Sequence, residues 1–449
     1  MPAVEVISTP SLGDRSYVVA DGGAAVVVDP QRDVDRVLAV AGQFGARITA
    51  VLETHLPHDY LSGGLELSRL TGAPYWVPAG SGVSFDHHPV AEGEVLPLGL
   101  RSRLRAVATP GHAFNHHAYV LEEGDRAVGV FTGGSLLFGT TGRADLVGPE
   151  HSEELAREQH ESAHKLARLL PDDAQLWPTH VTGDFCLASR SVGQQGTIGQ
   201  QKKVNPVFSL SADAFVEHLL SGVGPVPGYF QRLVEDNRVG PPPVSLQVEE
   251  PVGPAELARR LAAGYLVVDV RDRQRYARSH LAGTVSFGLD NSLVPWLGWL
   301  VDPGEPVTVV AEDEQQVAAA RRELVRIGVD HAVAVGTPQE LATGLNALRS
   351  LPVARFADLG QADVEVVLDV RGRREWRQQH VRGAVHVPLW ELPRRLSQIP
   401  DGTVWVHCSG GNRAVTAASL LARHGREVVA VDDSIAAAQT AGLALASDV

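Results

Sequence analysis

The second half of the chain alternates short apolar runs with polar stretches of helical spacing. Val267-Val268-Asp269-Val270 and Val367-Leu368-Asp369-Val370 each read as a buried strand ending at a carboxylate, with a charged, helix-like stretch after it. Each stretch leads through a His-x-x-Gly turn to another apolar run. Strands alternating with helices predict α/β domains with largely parallel sheets. The two copies correspond position by position: Asp269, Arg271, Arg273, His280, Gly283 and Val285 recur a hundred residues later as Asp369, Arg371, Arg373, His380, Gly383 and Val385. A period that long denotes two domains rather than a solenoid.

The first half is patterned differently. Strand-like runs fall at 16–19, 24–29 and 49–53, with a helix expected over 34–44. Gly240-Pro241-Pro242-Pro243 interrupts the pattern, and Leu351-Pro352 interrupts it again between the two copies. The expected organisation is therefore three α/β domains, 1–240, 241–350 and 351–449. A chain of 449 residues has the length for it at roughly 150 residues per domain.

Composition narrows the function classes. A net charge of −14 with 20% charged and 44% hydrophobic residues describes a globular chain without a nucleic-acid or anionic-membrane surface. Two cysteines cannot build a disulfide framework, no apolar run approaches the roughly 18 residues of a membrane span, and the N-terminus carries no signal pattern. The expectation is a soluble cytoplasmic protein with reduced thiols, with assembly into a homo-oligomer left open.

One of those cysteines, Cys408, follows the strand-like run Thr403-Val404-Trp405-Val406 and opens the segment Cys408-Ser409-Gly410-Gly411-Asn412-Arg413. Two glycines and small polar residues let successive backbone N–H groups converge on the sulfur, and the Ala/Leu-rich run from 414 to 423 predicts a helix whose N-terminus faces the same point. Amide nest, helix dipole and Arg413 all favour an anion, so the thiol is expected to ionise readily and to carry a second sulfur as Cys–S–S⁻. A buried structural cysteine would leave Gly410, Gly411 and Arg413 without a purpose. The Cys-x4-Arg spacing is one residue tighter than the Cys-x5-Arg loop that wraps phosphate in cysteine phosphatases, and suits a single sulfur atom.

This loop resembles the active-site loop of rhodanese sulfurtransferases, and the Asp-Val-Arg and His-x-x-Gly elements extend the resemblance over whole domains. It implies transfer of sulfane sulfur from thiosulfate or a glutathione-like persulfide through Cys408 to a thiol or cyanide, with no cofactor required. Arg413 is expected to anchor the loop and offset charge, and Asp369 and Arg371 to brace the domain rather than react. In the first copy the nucleophile's place falls on Ala311, followed by Glu312, Asp313 and Glu314 and no glycine pair. Acids there disfavour a thiolate and repel anionic donors, so this domain is expected to be silent, with a scaffold role.

In the first half, Thr54-His55-Leu56-Pro57-His58-Asp59-Tyr60, Thr109-Pro110-Gly111-His112, Phe131-Thr132-Gly133-Gly134 and Pro178-Thr179-His180 resemble in order and spacing the metallo-β-lactamase fold, a four-layer αββα sandwich with metal held by loops at one end. Thr197-Ile198-Gly199 and Asn205-Pro206 resemble persulfide dioxygenases fused to rhodanese domains. That resemblance implies iron held by two histidines and a carboxylate, matched here by His55 and His112, with the carboxylate falling on Gly134. Of the His-x-His-x-Asp-His loop, His55 and Asp59 remain, while Pro57 and Tyr60 stand where two histidines would. A degenerate metal site is the expectation, with Gly134→Asp completing the ligand set. A displaced iron or zinc site using His58, Asp59 and His180 is the alternative. His116 and His117 are read as ordinary strand or surface residues. Cys186 matches a cysteine of such fusions and is read either as a persulfide relay or as an inert buried thiol. Two further readings stand beside the sulfurtransferase: a bifunctional enzyme whose first domain oxidises or hydrolyses a persulfide or thioester, and a non-enzymatic scaffold in which the first two domains bind a thiol or a partner.

Overall fold

The computed structural model describes residues 2–99, 101–181, 195–247, 250–289, 293–301, 305–329, 331–342 and 348–448. It divides into two compact units, residues 1–245 with 325–328, and residues 246–324 with 329–449.

The first unit is built on two sheets. One has six strands in sequential order: β1 (Ala3–Thr9), β2 (Asp14–Asp21), β3 (Ala24–Val28), β4 (Arg47–Leu52), β5 (Tyr75–Pro78) and β6 (His88–Val90). The second runs β11 (Gln175–Pro178), β10 (Arg126–Gly133), β9 (His117–Glu123), β8 (Ser102–Ala108), β7 (Val95–Leu98). Their apolar runs are nearly unbroken because both faces of each sheet are covered. In β2 and β3, Tyr17, Val19, Val26 and Val28 pack between the sheets against Leu104, Ala106, Tyr119, Leu121 and Phe131. The alternate residues Val18, Ala20, Ala25 and Val27 pack outward against Val37 and Ala41 of helix Asp35–Gln43 and Leu65 and Leu67 of helix Gly64–Thr71. On the far side, Val107, Ala118, Val120 and Val130 meet Leu155, Ala163 and Leu166 of helix Ser152–Leu169 and Phe215 of helix Ala212–Gly222. Three apolar layers between four structural layers make the αββα sandwich that the sequence implies. Each fully buried valine or leucine contributes about 1.5–3 kcal/mol to it.

In the second unit the two copies of the repeat have separate parallel sheets of matching topology. The first runs Val285–Ser286, Leu266–Asp269, Val307–Ala311, His331–Val335. The second runs Val385–His386, Val366–Asp369, Val404–His407, Val428–Val431, with Val353–Ala354 added at its edge. Both sheets contribute to one buried apolar cluster, which joins Val268, Phe287, Leu297 and Val309 to Leu368, Val406 and Ala417. The helix after Cys408, Asn412–Arg423, also docks on the first copy: Thr416 Oγ1 donates to Ser286 O at 2.9 Å, and Ser286 N donates to Ser419 Oγ at 3.0 Å. The repeat thus folds as a packed pair.

The recurring residues prove to be structural in both copies. Arg271 bonds Asp269 and the Ser279 carbonyl, and Arg371 bonds Asp369 and the Gln379 carbonyl, at matching distances of 2.6–2.8 Å through Nη2. His280 and His380 each donate through Nδ1 to the carbonyl four residues earlier and stack on Tyr276 and Trp376. The expected bracing role of Asp369 and Arg371 is what the geometry displays.

Candidate active sites

Cys408 sits at the C-terminal end of strand Val404–His407, 2% exposed, and its Sγ accepts a hydrogen bond from Gly411 N at 3.1 Å. The loop turns back on the sulfur because Gly411 adopts φ +96°, in the left-handed region, with Asp432 Oδ1 only 1.9 Å from where a Cβ would stand. No other residue fits there without moving Asp432, whose carboxylate is held by Arg273 Nε of the first copy at 3.1 Å. Ser409 and Gly410 are exposed, leaving the loop open to a small donor. The helix begins at Asn412, next to the Gly411 amide that reaches the sulfur, two residues earlier than the sequence pattern suggests.

Arg413 ties the loop to a neighbouring helix. Its guanidinium makes a bidentate pair with Glu375, at 2.6 and 2.8 Å, and donates to Ser409 Oγ at 2.8 Å. The Glu375 carboxylate offsets much of its charge, and the pair clamps the loop to helix Arg373–Gln378. Sequence alone could not reveal this, because Glu375 lies 38 positions away. Arg413→Ala is expected to lower sulfur transfer roughly ten- to a hundredfold, the equivalent of about 1–3 kcal/mol for lost charge-assisted bonds. Steady-state cyanolysis checks it, and a comparable loss in Glu375→Gln would mark the clamp rather than the charge as the active feature.

The strand registers test the alignment of the silent copy. Asp369 pairs with His407 and Asp269 with Val310, so the next residues, Cys408 and Ala311, hold equivalent places. Ala311 is fully buried, and the adjacent Glu312 pairs with Arg271 and Arg275. One of the three expected repelling acids is thus paired with two arginines, and the position lacks the glycine turn that aims an amide at Cys408. Ala311→Cys in a Cys408→Ser background is therefore expected to give no thiosulfate turnover above background. Restored cyanolysis would overturn the silent assignment.

In the first unit, loops at one end of the sandwich bring together more imidazoles than the two the sequence comparison retained. His55, His58 and His112 each offer a ring nitrogen within 4.8 Å of the others, and His180 Nε2 lies 3.5 Å from His55 Nε2. A second group, Asp14, Asp59 and His180, satisfies the same distance. The hydrogen bonds fix which nitrogens are available. Thr54 Oγ1 donates to Asp29 Oδ2, so it accepts from His55 Nδ1 at 2.9 Å. His112 Nδ1 donates to the Arg143 carbonyl, and His180 Nδ1 to Asp14 Oδ1, both at 2.8 Å. Nε2 lone pairs of His55, His112 and His180 are left toward the shared space, the arrangement of imidazoles held by outer partners for a cation. Burial, together with the neighbouring imidazoles, holds His55 and His112 well below the ordinary histidine range, and burial pushes His58 down to about 3. All three are neutral at pH 7. A donor set of neutral imidazoles with carboxylates close by fits zinc or iron.

Several positions needed the tertiary structure. Asp29, at φ 50°, is a buried carboxylate that receives Thr54 N, Thr54 Oγ1 and Thr179 Oγ1, and so stands behind both His55 and His180. Asn237 pins the ligand loop through Pro57 O, Tyr60 O and Ser62 N, each at 2.9 Å. His116 is corrected: it is buried, its ring stacks on His55, Nδ1 bonds Thr109 Oγ1 and Nε2 accepts from Gly134 N. With both nitrogens used it is a support, not a ligand. His117 is buried too, at the start of β9. Cys186 lies outside the described residues.

Gly134 carries the largest correction. A Cβ there would stand 2.2 Å from His112 Cδ2 and 2.5 Å from Cγ, and one at Gly142 would stand 2.6 Å from His112 Nδ1. The His112 ring is seated between two glycine backbones and fills the space a carboxylate at 134 would need.

Residues 14–176 match the metallo-β-lactamase superfamily, and residues 353–441 match the rhodanese-like domain. Among curated relatives, a hydroxyacylglutathione hydrolase of Methylobacillus flagellatus is 38% identical over 27% of this chain and 47% of its own length. One from a Polaromonas species is 30% identical over 37% of this chain and 61% of its own. The chain thus spans about half to three-fifths of these relatives. A solved metallo-β-lactamase of Staphylococcus aureus shares the fold, with a TM-score of 0.67 at 24% identity over 75% of this chain and 99% of that one. Among the described residues no helix is long and apolar enough to cross a membrane.

Proposed function

We propose that this chain, a metallo-β-lactamase domain joined to a C-terminal rhodanese-like domain, is an enzyme of sulfane-sulfur chemistry whose principal activity is sulfur transfer through Cys408. The observation that carries the reading is the Gly411 N–H aimed at the Cys408 sulfur at a helix N-terminus, inside an exposed, glycine-turned loop. The Cys408 thiolate attacks the outer sulfur of thiosulfate or of a low-molecular-weight persulfide. The donor's S–S bond breaks, sulfite or the donor thiolate leaves, and Cys408–S–S⁻ forms. A thiolate or cyanide then takes the outer sulfur, and the electron pair of that bond returns to Cys408. The first repeat copy serves as a scaffold, in keeping with Arg273 on Asp432 and Ser286 on the helix that follows the nucleophile. The test is intact-mass spectrometry after incubation with thiosulfate: a gain of one sulfur per chain, removed by cyanide and localised to the Cys408 peptide, is expected. A sulfur localised elsewhere sinks the assignment.

A second reading gives the N-terminal unit its own metal-dependent reaction, and the convergence of His55, His58, His112 and His180 favours it. Similarity to proteins named hydroxyacylglutathione hydrolase supports an acyl thioester of a glutathione-like thiol as substrate, and a persulfide is the alternative within the same reading. These histidines would hold the cation, which when bound would polarise the substrate or activate water. Asp29, Thr54 and Asp14 keep the rings oriented. Metal content of the protein as isolated tests it, since the reading requires close to one equivalent.

A further inference from the structure

Between the paired copies of the repeat lies a cavity of about 440 Å³, at the end of the sheet opposite Cys408. Thr403, which precedes strand Val404–His407, lines it, whereas Cys408 follows that strand. Ser419, Ala422 and Arg423, from the C-terminal turns of helix Asn412–Arg423, line it too, while the first turn of that helix adjoins the Cys408 loop. We propose that this cavity is a second binding site, for a phosphate monoester of a hydroxylated organic molecule.

Charge points to the phosphate. Arg349, Arg423 and Arg426 line the cavity with one carboxylate, Glu427, in a chain whose net charge is −14. The guanidiniums hydrogen-bond to neutral backbone. Arg423 donates to the Gly283 and Gly264 carbonyls at 3.4 and 2.6 Å, and Arg349 to that of Leu348 at 2.8 Å. Arg426 donates to Ile399 O at 3.2 Å and to Pro400 O. A guanidinium has five N–H donors, so donors remain on each for a ligand. Arg423 is half-buried, and burial pushes it below the ordinary arginine range, with Glu305 opposing. An anion in the cavity offsets that cost. A phosphate monoester carries close to two negative charges at pH 7 and three oxygens that guanidinium forks can share.

Size and a buried acceptor point to the organic body. The volume falls in the range of small-molecule sites and far exceeds what a bare oxyanion fills. Leu351, Pro352 and Val428 supply apolar wall. His280 also lines the cavity, is 5% exposed, and donates through Nδ1 to Tyr276 O at 2.9 Å. Burial lowers its pKa, so it is neutral at pH 7 and its Nε2 is left as an acceptor. A ligand hydroxyl satisfies that nitrogen. His280 and Arg349 are cross-strand partners, which sets the hydroxyl beside the phosphate.

The experiment is calorimetric titration of the full chain at low ionic strength with adenosine monophosphate, glycerol phosphate, inorganic phosphate, succinate and adenosine. At least one of the two esters is expected to bind at one per chain, at least about tenfold more tightly than each of the other three probes. Arg349→Ala, at an exposed position, and Arg423→Ala should each weaken that ester at least about tenfold, with melting curves showing that the variants are folded. No binding of either ester at millimolar concentration overturns the site. Inorganic phosphate, succinate or adenosine binding within about tenfold of the better ester overturns the ligand class. Ester affinity kept within about tenfold in either folded variant places the ligand elsewhere and overturns the proposal, and the sulfur transfer assigned to Cys408 stands or falls separately.

Discussion

Replacing Cys408 by serine is expected to abolish sulfur transfer, with loss of at least about three decades in turnover and no persulfide detectable by mass. The change is nearly isosteric, and Gly411 N can still donate to Oγ, so strand Val404–His407 and helix Asn412–Arg423 keep their packing. What disappears is a nucleophile that ionises and accepts a sulfur. Among the described residues Cys408 is the one free thiol, and the equivalent position in the other copy is Ala311. Cyanolysis rates together with unchanged melting distinguish a lost nucleophile from a lost fold. Turnover within tenfold of the parent protein would move the chemistry elsewhere.

Gly134→Asp is expected to weaken the metal site, the reverse of what the sequence comparison implies. The new Cβ meets the His112 ring at 2.2 Å, and the ring cannot simply withdraw, because the Gly142 backbone bounds its other side and Nδ1 is tied to Arg143 O. Gln159 Nε2 holds the Gly134 and Ser135 carbonyls at 3.0 and 2.8 Å, so the loop yields little. Overpacking of this kind costs about 1–3 kcal/mol, which lowers melting by roughly 2–4 °C for each kcal/mol in a unit of this size. Displacing His112 removes one nitrogen donor, and zinc affinity should fall by at least about tenfold. Calorimetric zinc titration and a melting curve check both parts. Tighter iron binding in a variant of unchanged stability would restore the expectation that an aspartate completes the set.

The Cys408 loop was readable from the chain because its chemistry is local: nucleophile, glycine turn and helix start are consecutive residues, and backbone amides need no distant partner. The repeat was readable for a similar reason, since Asp369 and Arg371, two positions apart, bond each other wherever the domain sits. Periodicity likewise revealed strands buried on both faces. The metal site was legible only in part. A motif records which residue types fall at fixed offsets, so Pro57, Tyr60 and Gly134 counted as losses, and His58, one position off, and His116 counted for little. Folding ranks residues by proximity instead. It brings His180 beside His55 across 125 positions, sets Asp29 behind both, and seats the His112 ring in the space left by a missing Cβ. Arg413 follows the same rule: the chain shows a cation placed to anchor the loop beside a nucleophile, but only the tertiary structure supplies Glu375 as the carboxylate it anchors to. Sequence determined what is covalently close, and tertiary packing decided which buried donors and charges find partners, because each must be satisfied once water is excluded.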